Sequence, residues 1–191
     1  ANETYVVVAD GIVSTSGYAP SPAFNLEIYA TGREMASTAG NTDVLVHHGS
    51  TDAPTVDVVE VGVGAGTIVD DLSYAAFDGY LELGTADYVL EIRDETGTTK
   101  VESYDAPLST LGLEDSALVV VASGFLDPTM NSMGPAFGLY VALPSGGDLI
   151  ALPVTSPTGI SQQLEATTWS VFPNPANDMI TLNVENNVNH I

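Results

Sequence analysis

Short runs in which apolar and charged residues alternate dominate this chain, and they limit it to β-structure. Leu81-Glu82-Leu83 and Leu90-Glu91-Ile92 put leucine and isoleucine on one side and a carboxylate on the other, the pattern of a half-buried antiparallel strand. Similar runs rich in Val, Leu, Tyr and Ile occupy 43–47, 55–61, 80–83, 88–93, 100–104, 117–122 and 137–143. Turn chemistry separates them at Gly62 to Gly66, Asp78-Gly79, Gly84-Thr85, Glu95-Thr96-Gly97 and Pro144-Ser145-Gly146-Gly147. The continuous Leu118 to Val121 run reads as a central strand. No segment carries helical periodicity of useful length, and no βαβ alternation appears. The expected fold is all-β: an antiparallel β-sandwich of the immunoglobulin-like, Greek-key type. Its inward residues should be Val44, Val46, Val58, Leu81, Leu83, Leu90, Ile92, Val119, Val121, Leu139 and Val141.

Two blocks of the chain recur at one constant spacing. Val6-Val7-Val8-Ala9-Asp10-Gly11-Ile12 matches Val119-Val120-Val121-Ala122-Ser123-Gly124-Phe125, and Pro22-Ala23-Phe24-Asn25-Leu26 matches Pro135-Ala136-Phe137-Gly138-Leu139. The expected organisation is therefore tandem. Residues 1–38 read as the C-terminal part of a first unit, with strands near Tyr5 to Ala9 and Phe24 to Tyr29. Residues 42–155 read as a complete second unit, 156–167 as a polar linker, and 168–191 as the start of a further segment.

Charge removes whole classes of partner. Among 191 residues, 25 acids face three cations, Arg33, Arg93 and Lys100, for a net charge of −22. Neutralising phosphates needs Lys and Arg, so nucleic acid is not expected as a partner. Anionic membrane surfaces are disfavoured for the same reason. No apolar run approaches the ~20 residues that cross a bilayer as a helix, so membrane insertion is not expected. An apolar fraction of 45% argues for a packed core rather than disorder. Cysteine is absent, which rules out a disulfide frame and a thiolate site within these residues. The first residues read as a strand rather than a secretory leader.

The acids offer the nearest approach to a site. Asp52 and Asp57, beside His48, have the donor types of a Zn²⁺ or Ca²⁺ centre, as do Asp70 and Asp71 next to a glycine-rich stretch. EF-hand spacing is missing. The competing structural reading makes Ser50-Thr51-Asp52-Ala53-Pro54 a turn in which Asp52 accepts backbone N–H groups and a His48 N–H. It also places Asp57 within a strand, facing away from Val56 and Val58. His47 and His48 are adjacent, so on a strand they point to opposite faces. Gly62-Val63-Gly64-Ala65-Gly66 has the look of a phosphate-binding loop but lacks the helix and the lysine, and reads as a turn. No nucleophile elbow and no Ser–His pairing is present, so no enzyme activity and no catalytic residue is expected.

Two family resemblances add to this. Val46-His47-His48-Gly49-Ser50-Thr51-Asp52-Ala53-Pro54-Thr55-Val56-Asp57-Val58 resembles the opening signature of the DUF4397 family, with Gly49 where alanine is usual and Thr51 where proline is usual. Leu72-Ser73-Tyr74 and Ala117 to Gly124 fit its later parts. The resemblance implies an extracellular β-domain, often in tandem, with no established activity. Phe172-Pro173-Asn174-Pro175-Ala176, followed by alternating apolar residues, resembles the opening of a type A C-terminal sorting domain of the type IX secretion system. It implies export by that machinery to the outer surface of a Bacteroidetes-type bacterium.

The expected function is a secreted, non-enzymatic cell-surface module with a structural, adhesive or filament-forming role. The alternative is a carbohydrate- or calcium-binding accessory module of a larger secreted enzyme. The incomplete first unit leaves three outcomes open: its missing strands come from an upstream fragment that stays bound, its strands pack on the second unit, or another copy of the chain donates strands head to tail, a self-association that would propagate into a filament.

Overall fold

A computed structural model describes residues 3–156, 169–172 and 181–184. The chain divides into two compact units, Ala1–Thr155 and Ser156–Ile191. In the first, strands β1 (Val6–Asp10) and β2 (Asn25–Tyr29) form a hairpin. Then follow β3 (Asn41–His48), β4 (Val56–Glu60), β5 (Gly66–Leu72), β6 (Phe77–Gly84), β7 (Asp87–Asp94), β8 (Lys100–Pro107), β9 (Ala117–Ser123), β10 (Gly138–Ala142) and β11 (Ile150–Ala151). Among the described residues a single 3-10 turn, Pro128–Met130, interrupts the β-structure. In the second unit β12 (Trp169–Phe172) pairs antiparallel with β13 (Thr181–Val184). Phe172 of the Phe-Pro-Asn-Pro-Ala run ends β12, while Pro173 to Ala176 lie outside the described residues, as does most of the expected linker.

Two sheets face one another, in the orders β11-β10-β9-β3-β6 and β5-β4-β7-β8. The first contributes Val44, Leu118, Val120, Ala122, Leu139 and Val141 to the core, the second Val56, Val58, Val69, Leu72, Leu90, Ile92 and Tyr104. The all-β sandwich is thus observed, with one departure from the antiparallel expectation. β3 and β9 pair in parallel, from Asp43↔Ala117 to His48↔Ala122, which makes the larger sheet mixed.

Three further differences have physical causes. On β9 it is Leu118, Val120 and Ala122 that point inward, whereas Val119 and Val121 are half-buried on the outer face. A continuous apolar run carries no alternation, so its phase is set by register with β3 alone. Gly66–Leu72 is a strand missing from the expected runs, despite its glycine and the Asp70-Asp71 pair; its apolar residues Ile68, Val69 and Leu72 decide the matter by burial against β4. Asp78-Gly79 is not a turn but lies inside β6, with Gly79 at φ +65, where the β3–β6 register shifts. Glycine accommodates that left-handed residue and the chain continues in the sheet.

The recurring blocks fold alike. β1–β2 and β9–β10 are both antiparallel hairpins, paired Val7↔Ile28 in one and Val120↔Val141 in the other. Beyond each first strand lies a positive-φ glycine, Gly11 (φ +85) or Gly124 (φ +87). A Cβ there would stand 2.3 Å from Ala23 O or 2.2 Å from Ala136 O, so no other residue fits either position. The next N–H closes the loop onto a proline carbonyl, Ile12 on Pro22 at 2.8 Å and Phe125 on Pro135 at 2.9 Å.

Candidate functional site

Several buried polar side chains gather where the N-terminal segment meets β3. Val44 and Val46 face the core, so Leu45 and His47 face the other side of the same strand. Both are fully buried there. His47 Nε2 lies 2.6 Å from Asp10 Oδ2 at the end of β1. The ring packs on Phe77, which stacks on Tyr29 of β2. Further along, Arg33 donates to Asp43 at 2.6 Å and to Glu82 at 2.9 Å. Its guanidinium lies over Tyr80, whose hydroxyl accepts the Arg33 N–H. Asp43 is fully buried and also accepts the Ser37 N–H. The segment 1–38 is therefore bolted to the outer face of β3 and β6, and belongs to the same compact unit as 42–155.

The turn after β3 joins this junction to the loop after β9. Gly49 N–H donates to Ala122 O at 2.8 Å, and Ser50 Oγ to Gly124 O at 2.8 Å. Asp52 spends both carboxylate oxygens on that loop: Oδ1 accepts Leu126 N–H, and Oδ2 accepts Asp127 N–H and the Asn131 amide. Asp52 takes backbone donors as expected, but not the one from His48. The His48 Nε2 is 2.9 Å from Pro54 O, and its Nδ1 accepts Ser50 N–H. A carbonyl only accepts, so the proton sits on Nε2 and the ring is neutral. Burial holds the His48 pKa below its ordinary value. Gly49 also finds its reason. A Cβ there would lie 2.7 Å from Asp10 Oδ1 and 3.1 Å from Ala122 O, so this position leaves room for the Asp10 carboxylate.

The four candidate metal ligands do not converge. Asp52 closes the turn just described. Asp57 is buried on the far side of β4 from Val56 and Val58, and its Oδ1 accepts Asp71 N–H at 2.8 Å. Asp70 and Asp71 lie on β5. Among the described residues no three His, Asp or Glu side chains stand close enough to share an ion.

The glycine-rich loop is an anion cradle after all, but for a side chain of this protein. Glu60 receives the N–H groups of Gly62 and Val63 on Oε1 (2.7 and 3.0 Å), of Gly64 and Ala65 on Oε2 (2.9 and 3.1 Å), and of Val89 at 3.3 Å. Such convergent N–H groups form a nest. The loop lacks the helix and lysine of a phosphate site, and the anion it holds is the carboxylate two residues before it. Burial pushes the Glu60 carboxyl up, but the donors from Ala65, Val63, Val89 and Gly62 outweigh it and hold the pKa below 4.5. A depressed carboxylate contributes stability that is present above its unfolded pKa and lost as pH falls through the folded one. A depressed histidine does the same below 6.5. The melting temperature should therefore start to fall as pH drops below about 6.5, through His48, and fall again below about 4.5, through Glu60. Glu60→Gln turns an amide NH₂ toward the nest and should cost about 3 kcal/mol at pH 7. Calorimetry across pH checks this: the E60Q profile should be the flatter one below pH 4.5, and parallel profiles would refute the assignment.

A groove of about 590 Å³ runs between β1 and the outer face of β9–β10. Residues 6–12 form one wall, and Val119, Val121, Tyr140 and Ala142 the other.

Sandwich and junction together define a two-sheet all-β module whose buried ionisable side chains are built into its own loops and strand packing. The chain belongs to the DUF4397 family, a domain of unknown function, whose model matches residues 22–133. That match opens at the first Pro-Ala-Phe block and closes just before its copy at Pro135, so it spans about one period of the repeat. No curated protein and no solved structure matches the chain.

Proposed function

We propose that this chain is a secreted, non-enzymatic module of the bacterial outer surface, with a structural or adhesive role, in which DUF4397 units follow one another in tandem. The observation that carries the reading is the use made of the carboxylates that folding takes out of water. Asp10, Asp43, Asp57 and Glu60, all buried, and the half-buried Asp52 each hold backbone or a neighbouring strand in place, the arrangement of a part built for rigidity rather than turnover. The matching hairpins support tandem organisation. The Phe172 to Ala176 run supports export by type IX secretion machinery.

The test is made in a bacterium that has this machinery. The intact protein should reach the cell surface and be degraded by protease added to whole cells. Removal of everything from Thr168 onward should leave it inside the outer membrane, protected. Surface exposure of the shortened chain would remove the sorting reading. In the same preparations, calcium and chelator should leave melting unchanged; a calcium-dependent rise would favour the accessory-module alternative.

A further inference from the structure

One face of the β1–β2 hairpin has the wrong surroundings for its residues. Val7, Leu26 and Ile28 are 53%, 50% and 61% exposed, with Tyr5 and Phe24 beside them. Their counterparts in β9–β10, at the same register, are Val120, Leu139 and Val141, at 7%, 4% and 0%. Those counterparts are buried by the sheet β5-β4-β7-β8. Clusters of exposed aliphatic and aromatic side chains on a soluble domain mark an interaction surface. The strand edge tells the same story independently. β9 pairs with β10 on one side and in parallel with β3 on the other, whereas among the described residues β1 pairs with β2 alone. The unpaired side of β1 offers its N–H and C=O groups for strand addition. Residues 6–12, β1 included, form one wall of the groove described above.

We infer that the hairpin β1–β2 is one wall of another sandwich, closed by a preceding DUF4397 repeat of the same polypeptide. That repeat places a β3-like strand parallel to β1 in the groove and lays a sheet like β5-β4-β7-β8 on Val7, Leu26 and Ile28. A second copy of this chain is a poorer occupant, since its β3 and its four-stranded sheet are already engaged within its own sandwich. The inference rests on the tandem reading above and adds its geometry. Each unit ends in a hairpin whose inner face completes its own core and whose outer face, through Asp10, Tyr29 and Arg33, is bolted to the next unit. Successive sandwiches would then be held rigidly, without a free linker.

The chain supplies its own test. Residues 39–116 stand in the repeat directly before the counterpart of Thr4, so a second copy of 39–116 joined ahead of Thr4 restores a full unit from native parts. An apolar-surface dye should bind the parent chain and bind the extended chain several-fold less. Amide exchange at Val7 and Ile28 should slow on extension. Ile28→Glu should leave the parent's melting temperature within about 1 °C, yet lower that of the extended chain by about 10 °C. Undiminished dye binding, with the added residues cut by protease, would overturn the inference. So would a parent that light scattering shows to be a dimer and that I28E makes monomeric, since a second copy would then own the face. The added sheet comes from this chain, so the result does not depend on what precedes it in nature; the natural upstream sequence tests the tandem reading separately.

Discussion

Replacing Asp10 by alanine should cost about 3 kcal/mol and release the N-terminal hairpin before the sandwich melts. Asp10 Oδ2 is the partner of His47 Nε2 at 2.6 Å, and His47 Nδ1 is already buried without a partner. Removing the carboxylate leaves a fully buried imidazole with neither nitrogen bonded. An orphaned buried polar group of this kind is among the more damaging single changes. Asp10→Asn keeps an acceptor at the same place and should cost less than half as much. Limited proteolysis gives the specific readout: cleavage within residues 11–22 should rise in D10A while 42–155 stays intact. A D10A chain that melts within 1 °C of wild type would show that Phe77, Tyr29 and Tyr80 alone hold the hairpin. Gly49 adds an internal check. Gly49→Ala should be destabilising in wild type, where its Cβ meets Asp10 Oδ1, and less so in D10A.

Arg33→Met should be as damaging, about 3 to 4 kcal/mol, because it leaves a carboxylate buried without its cation. Asp43 is fully buried while Arg33 is about one-third exposed, so the cost falls on the acid that cannot reach water. The Ser37 N–H remains on Oδ2, and Oδ1 has no partner even in the native chain. The bond from Arg33 to Glu82, which is nearly half exposed, should contribute little. Glu82→Gln is therefore expected within 0.5 kcal/mol of wild type. The double variant R33M/D43N should recover part of the R33M loss, since the charge is gone along with its partner. Denaturant unfolding of R33M, D43N and R33M/D43N measures the coupling directly. A single R33M cost below 1 kcal/mol would place the pair with ordinary surface ion pairs.

How far the residues alone could be followed depends on what kind of interaction decides each feature. The alternation in 81–83 and 90–92, and the glycines and prolines between runs, are local, and they place strands and turns without reference to anything distant. They fail where local signal is absent. The phase of β9 is invisible in Leu-Val-Val-Val because every residue suits a core. β5 is invisible because burial against β4, not propensity, makes a strand of Gly66–Leu72. The parallel pairing of β3 with β9 joins segments some seventy residues apart and has no local mark at all.

The same division runs through the polar residues. The Gly62 to Gly66 stretch reads from its residues as a turn, and it becomes an anion cradle only because Glu60 sits at the end of β4 with its side chain turned into the loop. Asp52 was visible as a turn residue, while the loop it closes comes from the far side of β9. Asp10 carried no signal, because its partner His47 lies across a packing contact that only folding makes.

By itself the sequence determined the all-β class, the DUF4397 resemblance and the recurrence of one hairpin, since each is written in short-range pattern or in direct repetition. Only the tertiary structure decided that the first hairpin is fastened by its outer face to β3 and β6, and that its apolar face is left open. Burial and partner choice are properties of residues brought together from distant positions, and no local pattern of side chains encodes them.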